Sequence, residues 1–411
     1  MASYTRVMRD VRAITLAAVL TVATVGCSGG SDSESAPTTS GATDAVVTDP
    51  VFDESEQSIP TTTIRAGFVD GPLDEVCPST LVVQTSGLPE ATTGPLYALL
   101  GDAPIVDMDQ QRVSAPLTRP DGTIEDVTLE IRSGGPAVAF RSPIALMAED
   151  PGVLLSLTSL SAAVDARSTL ETTGVVTFTD RSGAAVVFDP ATYPGIETFD
   201  DLREAAVEIR HVTDAPVVDF LRARGALDDA QLVDGFDGEP AAFVAAEGAI
   251  AQIGDVTVDA ALLPALPQWA RPVATIAAAE AGWADFDEVL VVASDDARLS
   301  DDCLGRLIRV VQMSIDEYVA DPAPTIELMA FLRSQFNPLN RITAPVMTAG
   351  FGLAIDNGVF SRAADHPTGA TRPESLDAFL AELTGALGVN ALEPDDVVSD
   401  RFIDPTITSA G

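Results

Sequence analysis

Residues 127–136 read VTLEIRSGGP, a strand pattern followed by the loop that ends it. Apolar and polar residues alternate over the first five positions, which is the two-residue period of a β-strand. Ser133, Gly134 and Gly135 form a tight loop, and a helical stretch runs from there to about Glu149. A strand that passes through a turn into a helix is the repeating unit of parallel α/β sheets. The segment therefore predicts an α/β fold.

The same alternation of strands and helices continues along the chain. Further short apolar stretches that predict strands are 81–84, 153–157, 175–178, 185–188, 207–210, 232–233, 250–252 and 289–292. Residues 302–319 carry apolar side chains at helical spacing, and Asp321-Pro322 ends that helix. We expect two α/β lobes, the second inserted into the first. Ligands prefer clefts between domains, and the carboxyl ends of strands line them.

The N-terminus indicates an exported protein. Arg6, Arg9 and Arg12 precede an apolar run at 13–25, which is shorter than the ~20 residues that span a bilayer and fits a signal peptide. The run ends at Cys27, followed by Ser-Gly-Gly, and this pattern resembles a bacterial lipoprotein signal. The resemblance implies cleavage before Cys27, lipidation of its thiol, and anchoring on the extracytoplasmic face of the cell membrane. Plain secretion, with Cys27 discarded or unpaired, remains an alternative.

Composition divides the chain further. We expect residues 1–26 to be the signal peptide, 27–76 the lipidated cysteine and a disordered tether, 77–188 the first part of lobe I, 189–286 lobe II, and 287–411 the second part of lobe I with the C-terminal helices. The tether is rich in Ser, Thr, Asp, Gly, Pro and Ala and has no sustained period.

Charge and rare residues exclude several functions. The chain has 23 Lys+Arg, all of them Arg, against 62 Asp+Glu, so its net charge is −39. Without lysine there is no Schiff-base or phosphate-loop amine. Two His and three Cys are too few for a His-rich or Cys-rich metal site, and an acidic surface disfavours nucleic acid. We expect a protein that is not an enzyme and has no cofactor or metal.

The cysteines predict one cross-link. With Cys27 lipidated, Cys77 and Cys303 remain, and an exported chain folds in an oxidising environment. The pair predicts a disulfide. Two buried free thiols are the alternative.

An ordered set of segments carries a family resemblance. The segments are Cys77-Pro78, 81–85, Pro89-Glu90, 131–136, 189–194, 198–202, 235–245, 269–273, 281–283 and 303–322. They resemble solute-binding proteins of bacterial ABC importers, of the nitrate/sulfonate/taurine and thiamine-precursor group. The resemblance implies a two-lobed type II periplasmic-binding fold in which each lobe is a parallel-rich sheet flanked by helices. It also implies a monomer that captures a small-molecule solute and delivers it to an ABC permease.

Two departures leave a second function open. Proteins of that group often carry an acidic residue and Trp after the first strand, where this chain has Ser86-Gly87. They often carry Ser-Glu-Pro-Tyr in lobe II, where this chain has Val-Asp-Ala-Ala at 258–261. The alternative is a non-transport binding or sensory surface lipoprotein on the same scaffold with a diverged pocket.

Candidate ligand contacts are polar residues that follow predicted strands or begin helices. They are Gln84, Thr85, Ser86, Ser133, Gly134, Gly135, Thr158, Ser159, Asp237, Gly238, Glu239, Gln252 and Asp259. Backbone N–H groups of the glycine loop are able to hold an anion, and Asp259 is able to pair a cationic group. An ordinary turn at Ser133–Gly135 and helix caps at Ser159 and Asp237 remain alternatives.

Overall fold

The computed structural model describes residues 71–213, 215–236, 238–360, 365–385 and 387–409. All of these residues belong to one of two compact units of the chain, Ile64–Gly411. The predicted signal peptide, Cys27, most of the predicted tether and Asp237 lie outside the described residues. Within the described ranges, every helix is too short or too polar to cross a membrane.

The strands are named in chain order. They are β1 (Thr80–Thr85), β2 (Ile105–Asp107), β3 (Arg112–Thr118), β4 (Ile124–Arg132), β5 (Leu155–Thr158), β6 (Thr172–Thr177), β7 (Ala184–Phe188), β8 (Glu208–His211), β9 (Leu232–Asp234), β10 (Ile250–Asp255), β11 (Ala274–Ala277) and β12 (Val289–Ala293). The α-helices are α1 (Gly94–Tyr97), α2 (Pro143–Glu149), α3 (Leu160–Asp165), α4 (Phe199–Glu204), α5 (Pro216–Ala223), α6 (Ala241–Ala245), α7 (Asp259–Ala265), α8 (Asp301–Ala320), α9 (Ala323–Phe336), α10 (Ala344–Asp356) and α11 (Pro373–Gly385).

The strands form two sheets. The larger has the order β2-β3-β4-β1-β5-β12-β6, and the smaller has the order β11-β7-β10-β8-β9. In the larger sheet only β3 and β12 run against the other strands, and in the smaller sheet only β7 does. Five of the seven strands of the larger sheet and four of the five strands of the smaller sheet share one direction, although only four of the ten strand pairs are parallel. We call each sheet with its helices the large lobe and the small lobe.

The chain passes between the lobes twice. It leaves the larger sheet after β6 and enters the smaller sheet at β7, and it returns from β11 to β12. Because β12 inserts between β5 and β6 in the antiparallel direction, the returning strand is locked inside the larger sheet. Residues 185–188, expected at the end of the first part of lobe I, are hydrogen-bonded in the smaller sheet. The reason is that β7 pairs with β10 and β11, which sequence alternation cannot reveal.

Apolar residues on both faces of each sheet build the core. On one face of the larger sheet, Leu81 and Leu129 share a buried cluster with Leu304 and Val311 of α8. The smaller sheet packs Val186 against Phe220, in a cluster that includes Trp283. Its other face packs Val187 against Phe243 and Trp269. Both tryptophans therefore pack within a lobe.

Local signals set several helix ends. Ser300 caps α8 by accepting a hydrogen bond from the Cys303 N–H, and Thr198 and Asp201 form a reciprocal capping box at α4. Two predicted helices are shorter than expected. Residues 95–100 contain only part of the four-residue α1, and a 3₁₀ turn at Gly135–Val138 separates the glycine loop from α2.

The disulfide between Cys77 and Cys303 is present, as predicted. It joins the segment before β1 to the first turn of α8, and Cys303 is fully buried. The long helix is thereby fixed to the first strand of the larger sheet.

Candidate functional site

The two crossing segments lie at the carboxyl edges of both sheets. Val289, the first residue of β12, pairs with Thr158 and Thr177 at the ends of β5 and β6. In the smaller sheet, the first residue of β7, Ala184, pairs with Asp255 at the end of β10. Loops that follow the parallel strands of both lobes therefore meet at the crossings, where ligand sites of open α/β sheets are found.

Hydrogen bonds tie the two crossing segments together. The Phe178 N–H donates to the Glu288 carbonyl (2.7 Å), and the Glu288 N–H donates to Thr179 Oγ1 (3.3 Å). The Gly183 N–H donates to Asp287 Oδ2 (2.6 Å). Because the chain passes between the two sheets through these segments, they are the natural place for a hinge.

A set of carboxylic acids surrounds the crossings. We call it the acidic crevice; it consists of Glu90, Asp255, Asp259, Asp287 and Glu288. Gly183 lies between Asp255 and Asp287. A Cβ on Gly183 would lie 2.5 Å from Asp255 Oδ2, and the Gly183 N–H donates to Asp287 Oδ2. Thr92, two residues after Glu90, donates to Glu288 Oε1 (3.1 Å). The crevice thus contains carboxyls from both lobes.

The crevice carboxyls are enclosed yet reached by solvent. The side chain of Glu90 keeps 34% of its exposure, although burial is the main cause that raises its pKa. Burial also raises the pKa of Asp255, Asp287 and Glu288, and it raises that of Asp259 to about 7. Four of the five carboxyl groups are half-buried, and Glu288 is 7% exposed, so the cluster is enclosed by protein without being fully sealed from solvent.

The carboxyls also act on one another. Glu90 raises the pKa of Asp259 and Glu288, and Asp255 raises that of Asp287. One cation offsets part of this charge: Arg333 of α9 lies 3.6 Å from Glu90 and donates to the Pro89 carbonyl. Burial lowers the pKa of Arg333. The neighbouring Glu90 carboxylate opposes this effect and raises the pKa, but burial is the larger cause. Perturbed groups gathered at a crevice are typical of functional sites.

Two of the residues predicted from sequence belong to this site. Gln252, which is 1% exposed, donates through Nε2 to Asp259 Oδ1 (2.7 Å). The Asp255 N–H donates to Asp259 Oδ2 (2.8 Å), so the carboxylate is held at the end of β10. Asp259 therefore lies just after β10, whereas Gln252 lies within β10 and reaches Asp259 through its side chain.

The predicted residues at the end of β1 have mainly internal contacts. Gln84 donates to the carbonyls of Thr85 and Arg132, and Thr85 Oγ1 donates to the Gly87 carbonyl (2.8 Å). Both side chains are buried, while Ser86 is exposed. They shape the two loops that follow β1 and β4.

The predicted glycine loop has a packing role. The Gly134 N–H donates to the Gly87 carbonyl, and a Cβ on Gly134 would lie 2.3 Å from the Ser86 carbonyl oxygen. Glycine is required because two loops touch at this point. The Ser133 and Gly134 N–H groups donate to the Gln111 and Gly87 carbonyls, so neither of them is free to hold an anion. Ser133 keeps a buried hydroxyl without a hydrogen-bond partner.

The remaining predicted residues lie in different environments. Ser159 caps α3 by accepting from the Ala162 N–H (3.2 Å), which is the capping alternative, and Thr158 is buried at the end of β5. Gly238 and Glu239 are exposed, and Glu239 acts electrostatically on Arg333. Gln84 and Ser133 also line a groove of about 510 Å³ together with Arg112 and Arg132, within the large lobe alone.

Sequence reasoning missed most of the acidic crevice. Asp255, Asp287 and Glu288 were not singled out, and Glu90 entered only as part of a family resemblance. A usable signal existed, because each of these acids directly flanks a strand or a helical turn at the carboxyl edge. With 62 acids in the chain, however, burial is what distinguishes them.

Helix α10 contacts both lobes beside this site. Its Val346 packs in the small-lobe cluster with Phe243 and Trp269, whereas Met347 and Phe351 pack in the large-lobe core. A Cβ on Gly350 would lie 2.0 Å from the Thr257 carbonyl oxygen, which follows β10. The helix therefore connects the lobes through its two faces.

Comparison with known sequences finds no counterpart: no protein-family model and no curated protein matches this chain.

Comparison with solved structures finds similar folds. A protein from Bordetella bronchiseptica RB50 superposes with a TM-score of 0.51 at 15% identity, over 79% of this chain and 96% of that one. The alkanesulfonate-binding protein SsuA from Xanthomonas axonopodis pv. citri gives 0.47 at 12% identity, over 79% and 99%. The periplasmic nitrate-binding protein NrtA from Synechocystis PCC 6803 gives 0.46 at 12%, over 81% and 88%. The first similarity and the strand topology show that this chain has a fold of two α/β lobes, each a sheet flanked by helices, which it shares with the Bordetella protein.

Proposed function

We propose that the protein captures a small solute in the acidic crevice between its two lobes. The observation that carries this proposal is the crevice itself, in which carboxyls of both lobes are desolvated but still reached by solvent. A solute that contacts Glu90 or Glu288 on one side and Asp255 or Asp259 on the other binds the closed arrangement better than an open one. Binding therefore favours closure about the crossing segments.

The setting of this function follows from the N-terminal segment. In this proposal Cys27 is lipidated and holds a monomer on the extracytoplasmic face, and the solute passes to an ABC permease. Residues 27–70 act as the tether, 71–183 and 287–411 as the main parts of lobe I, and 184–286 as lobe II, since β7 pairs in the smaller sheet. The lipoprotein-like signal and the ordered resemblance to importer binding proteins support this setting, and the Cys77–Cys303 bridge fits an oxidising compartment.

A thermal-shift screen of the mature protein tests the proposal. Amines, amino acids, pyrimidines, sulfonates and nitrate are each added. A true ligand stabilises the folded protein by mass action, by about 2.7 kcal/mol at one hundred times its Kd, and so raises the melting temperature. Small-angle scattering with that ligand is expected to give a smaller radius of gyration. The proposal fails if no solute in the set shifts melting and the radius stays constant.

The alternative, a non-transport binding or sensory protein, is favoured by one feature. Helix α10 bridges the lobes at Val346, Gly350 and Phe351, and this contact restrains opening. A ligand that raises the melting temperature without changing the radius of gyration supports this alternative over transport by closure.

The α10 bridge itself makes a testable prediction. Gly350→Ala is expected to destabilise the protein by about 1–3 kcal/mol, because its Cβ overlaps the Thr257 carbonyl oxygen and forces α10 off the small lobe. Gly352→Ala, in the same helix but with open space around it, is the matched control, expected to stabilise by up to about 1 kcal/mol through helix propensity. Urea unfolding measures both. Equal effects of the two substitutions would show that α10 does not touch the small lobe.

A further inference from the structure

We propose that a pocket between the two crossing segments, the end of α10 and the start of α11 binds a small organic anion, whose charged group is held by Arg181 and Arg372. We call it the hinge pocket; its lining includes these two arginines, Trp283 and Phe360. None of its described lining residues belongs to the acidic crevice. The inference therefore goes beyond the proposed solute-binding function and does not depend on it.

The first step is the place of the pocket in the fold. Its volume is about 650 Å³, which lies in the range of small-molecule sites. Arg181 belongs to the segment that leads from β6 to β7, and Ala279 and Trp283 belong to the segment that returns from β11 to β12. Ile355 of α10 and Arg372, which precedes α11, line the pocket as well. A ligand here therefore contacts both crossing segments.

The second step is that both arginines of the pocket lack an acidic partner. Acids outnumber arginines by 62 to 23 in this chain, and most of the described arginines form an ion pair with one. Within the described part of the chain, only Arg181, Arg341 and Arg372 have neither an ion pair nor a side-chain hydrogen bond. Two of these three line one pocket. Because a guanidinium stays charged at physiological pH, the pocket has two positive charges that an anion can neutralise.

The third step concerns the carboxylates near the pocket. Asp180 also lines it, but forms no ion pair with Arg181 or Arg372. Glu382 of α11 is 6% exposed and lies 3.9 Å from Arg224, outside the lining. The neighbouring acids therefore leave both guanidiniums to a ligand.

The fourth step is the apolar part of the lining. Trp283 is 4% exposed and Phe360 is 2% exposed, and Ile355 with two alanine side chains adds further apolar surface. Trp283 packs on Phe220, whose ring centre lies 5.2 Å away, so the indole is fixed in place. Small-molecule sites combine mostly apolar surface with a few placed polar groups, and the Ser375 hydroxyl is one more donor here. The lining therefore favours an anion with a compact apolar body over an inorganic ion.

Calorimetry with the mature wild-type protein at constant ionic strength tests the assignment. The probes are benzoate, 1-naphthoate, the neutral isostere benzamide, the cationic isostere benzamidine, and acetate, which has almost no apolar body. We expect benzoate and 1-naphthoate to bind about tenfold more tightly than the other three. Absence of a preference for the two aromatic carboxylates, or absence of saturable binding by both, overturns the inference.

Variants that remove one charge locate the site. Arg181→Gln and Arg372→Gln are each expected to weaken benzoate binding about tenfold, because each removes charge-assisted hydrogen bonds. Arg341→Gln is the matched control, expected to leave binding unchanged, since Arg341 also lacks an ion pair but is not a lining residue. Melting curves confirm that each variant is folded. If benzoate binds wild type and both pocket variants equally, the assignment fails, while the proposed function of the acidic crevice stands.

Tryptophan fluorescence gives a second readout. The chain has two tryptophans, Trp269 and Trp283, and only Trp283 lines the pocket. In a Trp269→Phe variant, benzoate is expected to change the emission of Trp283 with the midpoint found by calorimetry. Adding Arg372→Gln is expected to raise that midpoint about tenfold. Saturable heat without a change in Trp283 emission places benzoate elsewhere and contradicts binding in the hinge pocket.

Discussion

Replacing both Cys77 and Cys303 by serine is expected to lower the free energy of unfolding by about 5 kcal/mol. The two cysteines are 226 residues apart in sequence, so the bridge closes a very long loop in the unfolded chain. In the chain-entropy model this loop restricts the unfolded state strongly, and its release stabilises that state. The bridge also fixes α8 to the segment before β1, so its loss loosens the large-lobe core.

Denaturant unfolding of the oxidised wild type, the Cys77→Ser/Cys303→Ser variant and the reduced wild type measures the effect. A Cys77→Ala/Cys303→Ala variant separates loss of the bridge from burial of a hydroxyl, since Cys303 is fully buried. The variants and the reduced protein are expected to agree within about 1 kcal/mol. A wild type whose stability does not change on reduction contradicts the prediction.

Local sequence patterns were sufficient to predict those strands and helices whose own residues show the two-residue or the helical period. The alternation at 127–131 predicted β4, and the apolar face of 302–319 predicted α8 almost to its ends. Strands β2 and β3 were missed because β2 has only three residues and β3 contains Pro116, so their formation depends on pairing with β4. Pairing between distant segments also explains why β7 belongs to the smaller sheet.

The site was harder to predict than the fold for a physical reason. Strand-end reasoning singled out Gln252 and Asp259, and these two residues lie in the acidic crevice or against it. It could not tell that Gln84 and Thr85 turn inward to bind their own loops, because side-chain direction there depends on the neighbouring loop after β4. Nor could it select Glu288 among the acids, since desolvation arises only when the lobes meet.

The protein is expected to lose stability as pH rises from 5 to 8, against the usual rise of stability from acid pH to neutrality. Burial raises the pKa of Asp285 to about 6 and of Asp259 and Glu382 to about 7, and it raises that of Asp287 and Glu288 well above their usual values. In this interval the unfolded chain has ionised carboxylates, whereas the folded protein still binds protons. Folding therefore takes up protons, and its free energy becomes less favourable with rising pH.

The contribution of one residue, Asp285, to this pH dependence of stability can be measured separately. It is 3% exposed, and its carboxyl accepts from the Ser161 and Phe286 N–H groups and from the Ser161 hydroxyl. Raising its pKa from the usual 3.8 to about 6 costs on the order of 3 kcal/mol once the group ionises. This penalty is absent below pH 4, grows as pH rises to 6 and is complete above that value.

The Asp285→Asn variant keeps the shape of the protonated acid and does not ionise. Its stability relative to wild type is expected to increase between pH 4.5 and pH 7.5, as measured by urea unfolding across that range. Asp302→Asn, at an exposed acid in the first turn of α8, should change little with pH and serves as the control. If Asp285→Asn shows a constant difference from wild type at all pH values, Asp285 ionises at its ordinary pKa, and its desolvation does not contribute to the acid preference of the fold.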